Sequence, residues 1–225
     1  MVFDITLKAP MSLLLVGPSS AGKTFWMVRL LRERHELITD CPKHIVLFYH
    51  NDQPLYKLML EEGLVTCMHK GIPSTTRLRD MAKTYKKDGG AMFLLDDSFG
   101  QLETQADFNL LFMESVHHDN VSVILATQTL YGSGRRSNMR LISLNTNYLV
   151  IFKFIRDMSV FRSLSTQLRP FDPSSLLQSI MTALRNPYSY ILFDFTANQA
   201  SAVRIRTNIF EAEHPPLVML EHSLD

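Results

Sequence analysis

The sequence predicts an α/β fold: a mainly parallel central sheet flanked by helices. Three observations predict it. Apolar runs at residues 13–16, 44–49, 91–95, 121–126 and 148–152 alternate with helix-patterned segments, the order that builds a parallel sheet. Several of the runs are apolar at nearly every position, as strands covered on both faces are. The stretch Gly17-Pro18-Ser19-Ser20-Ala21-Gly22-Lys23-Thr24 lies between the first run and a helical pattern. That is the strand–loop–helix context in which G-x-x-x-x-G-K-[ST] holds a phosphate chain.

In chain order, residues 5–16 read as a strand broken near Pro10, and residues 23–35 as a helix with Trp26, Leu30 and Leu31 on its apolar side. Residues 44–49 form the second strand. A short helix over 55–62 follows, then another over 74–87, with Ser74 as cap and Gly89-Gly90 as stop. Residues 91–95 are a strand ending in Asp96-Asp97. A helix over 103–118 leads to the strand 121–126, which ends in Thr127-Gln128. After a glycine- and arginine-containing loop, 132–140, comes the strand 148–152. Helices over 157–168 and 173–185 precede two late strands, 188–195 and 203–209, expected to pair antiparallel. The organisation expected is one ATPase domain, 1–210, with a polar tail, 211–225.

Composition excludes several classes. The net charge is +1, so DNA contact would need a local basic cluster, or many copies pooling a few charges. No apolar run reaches the roughly 20 residues that span a bilayer, and the N-terminus has no secretory pattern. Stable membrane insertion and secretion are therefore not expected. Cys41 and Cys67 fit neither a disulfide framework nor a zinc site.

The chemistry gathers at strand ends. Gly17 and Gly22 let the backbone wrap an anion, and the helix start helps to hold it. Lys23 is placed to reach the β- and γ-phosphates, and Thr24 to bind Mg²⁺. Asp96 is a candidate for the same metal, and Asp97 for orienting the attacking water; a helix cap is the alternative for Asp97. Gln128 stands at the carboxyl edge of the sheet, where open α/β sheets bind ligands, and suits a γ-phosphate sensor; an exposed loop residue is the alternative. A strand between Asp96-Asp97 and the rest points to the hydrolase branch of P-loop proteins. Arg140 is a candidate arginine finger for a neighbouring subunit, given the planar, multiply donating guanidinium, with a solvated or DNA-contacting loop equally open. Arg135-Arg136 and Lys86-Lys87 are basic runs that either contact DNA phosphates or form solvated faces. His117-His118 point about 100° apart on a helix and make a poor chelate.

The segment 115–128, with Arg140 to Tyr148, Phe152-Lys153, Gln167-Leu168-Arg169-Pro170 and the late Arg204-Ile205-Arg206-Thr207-Asn208, resembles the poxvirus-type genome-packaging ATPases. Phe48-Tyr49-His50, Gln53 and Tyr56 fit as well. This family is found in nucleocytoplasmic large DNA viruses, virophages, adintoviruses and Polintons, within the FtsK/HerA group. The resemblance spans about residues 10–210 and implies a RecA-like fold of the ASCE division of P-loop NTPases. It implies ATP and Mg²⁺ as cofactors, and an oligomeric ring, a hexamer or pentamer, moving double-stranded DNA into a preformed capsid. Capsid vertex proteins would be partners, and the virion or the host-cell assembly site, cytoplasmic or nuclear, the location. The basic 132–138 loop and Thr129 depart from the family pattern. Other DNA-pumping ATPases, a nucleotide switch or a small-molecule kinase are the alternatives.

Overall fold

Leu13, Leu14, Leu15 and Val16 are all fully buried, so the first apolar run meets side chains on both faces. The computed structural model describes residues 4–96, 119–131, 139–197 and 203–213. The chain enters through β1 (Leu7–Lys8) and β2 (Ser12–Val16) and turns into α1 (Lys23–Arg32). A short α2 (Arg34–Leu37), β3 (Ile38–Thr39), β4 (His44–Tyr49), α3 (Pro54–Glu61) and β5 (Cys67–Lys70) follow. Then come α4 (Thr75–Lys86), β6 (Ala91–Asp96) and β7 (Val121–Thr127). The last described elements are α5 (Met139–Leu144), β8 (Tyr148–Phe152), α6 (Ser159–Leu168), α7 (Pro173–Ala183), β9 (Tyr190–Asp194) and β10 (Ile205–Arg206).

The main sheet has eight strands in the order β10-β9-β8-β2-β7-β6-β4-β5. From β8 to β5 every pairing is parallel. The late strands are antiparallel, β9 against β8 and β10 against β9, as the sequence predicts. β7 lies between β2 and β6, which is the inserted strand expected of the hydrolase branch. β1 and β3 form a separate parallel pair.

Alternate side chains of each strand feed two cores. One face takes Leu13, Leu15, Ile124 and Ala126 with Trp26, Met27, Leu30 and Leu31 of α1 and Met59 of α3. The other takes Leu14, Val16, Val123 and Leu125 with Leu78 of α4, Met139 and Ile142 of α5, Phe161 of α6 and Ile180 of α7. Each large side chain buried this way contributes about 1.5–3 kcal/mol, so the sheet is held from both faces.

Local boundaries follow local chemistry. Ser74 caps α4 by accepting from the Arg77 amide, and Gly89 and Gly90, both at positive φ, end the turn after it. Three differences from the sequence reading have physical reasons. The first helix is interrupted at Glu33. β5 is half-buried and polar, Cys-Met-His-Lys, at the sheet edge, so no apolar run marks it. Arg140, placed by the sequence in a loop, sits in α5, whose Met139 and Ile142 reach the core. The predicted helix over 103–118 lies outside the described residues.

Candidate nucleotide-binding site

The loop between β2 and α1 is shaped by its neighbours. Gly22 precedes the helix with φ 98°, a left-handed conformation that costs a side-chain-bearing residue roughly 1–2 kcal/mol. Gly17 is required for a different reason: a Cβ there would stand 2.8 Å from Phe152 Cβ and 3.1 Å from Ala21 Cβ. The close approach is to the end of β8, so the adjacent strand, as well as any ligand, demands glycine. The Gly17 amide donates to the Thr127 carbonyl at 3.1 Å, which ties the loop to the end of β7.

Among the described residues, the charged side chains of Lys23 and Asp96 stand at the loop. The Lys23 ammonium donates to the carbonyls of Gly17 at 2.7 Å and Pro18 at 2.9 Å, and so bridges the entrance of the cradle. Asp96, at the carboxyl end of β6, is 2% exposed. Its Oδ2 accepts the Thr24 hydroxyl at 2.6 Å and the buried Tyr56 hydroxyl at 2.9 Å. α1 thus carries Thr24 across β7 to the next strand but one. A hydroxyl and a carboxylate are hard oxygen donors of the kind Mg²⁺ takes. Among the described residues no group of three or more His, Cys, Asp or Glu could hold a metal. A cation here would therefore take few protein ligands and complete its shell from phosphate and water, as Mg²⁺ commonly does.

The octapeptide from Gly17 to Thr24 and Asp96 thus meet at one sheet edge. Gln128 follows β7 directly and is exposed; its neighbour Thr127 bonds Gly17, so it stands beside the loop. Asp97, Arg135, Arg136, His117 and His118 lie outside the described residues. Arg140 is exposed on a helix whose end joins the amino end of the sheet: the Ser12 hydroxyl donates to Asn145 O, and Asn147 N donates to Ser12 O. Lys86 and Lys87 also lie toward that far edge, just before β6, and are exposed. Within one copy, then, neither Arg140 nor this lysine pair borders the loop.

Tyr56 and Phe152 are site residues that pattern reading left without a role. Tyr56 has a sequence signal after the fact: Pro54 starts α3, two residues before it and just past β4. A cavity of about 910 Å³ also lies beside Gly22, with Phe25, Phe152 and Tyr188 among its walls.

Comparison with known proteins gives a consistent likeness. Residues 3–181 match the family model described as "Poxvirus A32 protein". Among the solved structures that share the fold are two of the genome packaging NTPase B204 from Sulfolobus turreted icosahedral virus 2. The complex with sulfate has a TM-score of 0.55 at 14% identity, covering 94% of this chain and 98% of that one. The complex with ATP-gammaS has a TM-score of 0.56 at 14% identity, covering 88% of this chain and 95% of that one. No curated protein matches the chain.

Proposed function

The chain belongs to the poxvirus A32 protein family, and from that premise we propose that it is a genome-packaging ATPase. It would hydrolyse ATP to drive double-stranded DNA into a preformed capsid. The observation that carries this reading is the 2.6 Å contact from Thr24 to Asp96 across the inserted strand. It joins a phosphate cradle to a buried carboxylate, an arrangement used for phosphoryl transfer to water.

In this reading, the loop amides and Lys23 hold the triphosphate, and the ammonium exchanges its two carbonyl partners for β- and γ-phosphate oxygens. Thr24 and Asp96 hold Mg²⁺, which neutralises phosphate charge when bound. Asp97 orients the attacking water, and the Gln128 amide senses loss of the γ-phosphate. Arg140, remote from its own loop, is assigned to the ATP of a neighbouring copy in a hexameric or pentameric ring. DNA would be gripped through its phosphates without sequence reading. Among the described residues no helix is long and apolar enough to cross a membrane.

Steady-state ATP hydrolysis measured with and without linear duplex DNA tests the proposal. Duplex is expected to raise the rate several-fold, with little effect from free nucleotides. Phosphate transfer to a small acceptor, or a rate indifferent to duplex, would sink it. The mass of the assembly with a bound ATP analogue tests the ring.

Tyr56 carries its own prediction. Its hydroxyl orients Asp96 without lying on the phosphate path, and partners of that kind typically govern metal affinity by 10–100-fold. Tyr56→Phe should raise the Mg²⁺ concentration for half-maximal ATP binding about tenfold, with the chain still folded. Fluorescence titration of a labelled ATP analogue against Mg²⁺ reads this, and an unchanged midpoint would remove Tyr56 from the site.

A further inference from the structure

The cavity beside Gly22 is lined by aromatic and uncharged polar side chains together with a few paired charges. Its volume is about 910 Å³, within the range of ligand pockets. Its lining includes Gly22, the last glycine of the phosphate cradle. Two aromatic side chains stand open on its walls: Phe25 is 57% exposed and Tyr188 is 73% exposed. Phe25 sits in the first turn of α1. Tyr188 is held at φ 60°, a backbone conformation rare for a side chain of that size. Its ring reaches within 3.6 Å of where a Gly22 Cβ would be, so it flanks the cradle itself. A strained residue presenting an open ring to a cavity is the kind of outlier that marks a ligand clamp.

The charges on the cavity wall are already spent. Arg29 is paired with Glu213 and lies over the Phe210 ring at 4.1 Å. Glu213 also accepts from the Tyr190 hydroxyl at 2.8 Å. Arg206 is paired with Asp194 at 3.1 Å. A second phosphate would find no cationic host among these groups. The rest of the wall is uncharged: aromatic surface, hydroxyls such as Thr182 and Thr207, and the amides of Gln178, Asn186 and Asn208, and amides both donate and accept. Asn186, Tyr188 and Asn208 follow residue 181, where the family match ends.

We propose that this cavity holds the nucleobase of the bound nucleoside triphosphate, stacked between Phe25 and Tyr188, with a purine preferred. The proposal rests on the nucleotide-binding reading above and extends it from the phosphates to the base. One wall of the base site, Phe25, then lies within the family match, and the other, Tyr188 with the two asparagines, beyond it. Stacking on a large face favours the two-ring purine over a pyrimidine and discriminates weakly between adenine and guanine, since the neutral amides can rotate to suit either.

Isothermal titration of the full chain with ATP-gammaS and with inorganic tripolyphosphate, both with Mg²⁺, separates the base from the phosphates. The wild type is expected to bind ATP-gammaS at least tenfold more tightly than tripolyphosphate. Phe25→Ala and Tyr188→Ala should each weaken ATP-gammaS by about tenfold, the scale of one aromatic–base stack, and leave tripolyphosphate unchanged. Tyr188→Phe should keep wild-type affinity for both. Unchanged ATP-gammaS binding in both alanine variants would overturn the base site. So would equal wild-type affinity for the two ligands, which keeps the phosphate reading intact. Alanine variants that lose tripolyphosphate as well would also overturn it, because the effect would then lie in the cradle. A wild type that binds neither ligand removes the nucleotide reading and this one with it.

Discussion

Lys23→Ala is expected to lower the ATP hydrolysis rate by at least about 10²–10³-fold, the cost of losing one preorganised donor to developing transition-state charge. The ammonium already stands in the cradle, 2.7 Å from Gly17 O and 2.9 Å from Pro18 O. Those bonds close the loop without ligand, and a triphosphate offers the same ammonium stronger, charged acceptors. Alanine can supply neither role. The fold should survive, because the strand behind the loop is buried on both faces and the Gly17 amide keeps its bond to Thr127. The readouts are phosphate release at saturating ATP and the thermal melting curve. A variant with its fold intact and more than about a tenth of wild-type turnover would show that Lys23 does not touch the transferred phosphate.

Much of this arrangement was legible from side-chain chemistry alone. Strands such as 91–96 and 121–127 announce themselves because both faces are buried, leaving no polar alternation. The order of Asp96 and Gln128 on those strands was enough to place an inserted strand, and the register of β7 between β2 and β6 follows it. The family suggested by the residues is the family matched. What stayed hidden depends on through-space neighbours. Nothing near Gly17 in sequence reveals that Phe152 leans on it. Tyr56 shares Asp96 from 40 residues away. β5 and β3 are short and half-polar, and gain strand form only by pairing with β4 and β1. Tyr188 reads as the first residue of a strand, yet its positive φ turns the chain just before β9.

Arg206 shows most sharply how a residue noted in a motif acquires a physical role only in three dimensions. It joins β10 to β9 by a guanidinium that is wholly buried, bonded to Asp194 Oδ2 at 3.1 Å and to Val203 O at 3.0 Å. Burial pulls its pKa below the ordinary value, against the opposing pull of the Asp194 carboxylate. Arg206→Met should therefore destabilise the chain by about 3–5 kcal/mol, because it takes the cation away from a buried carboxylate, which is the expensive way to break such a pair. Asp194 Oδ1 would keep its bonds from Thr196, but Oδ2 would lose its cation. Removing both charges together, Arg206→Met with Asp194→Leu, should recover most of that loss, since the burial penalty goes with the pair. Urea unfolding midpoints of the wild type, the single and the double variant measure the difference. If the double variant is no more stable than the single, the packing of the Arg206 stem, not charge compensation, holds β10 in place.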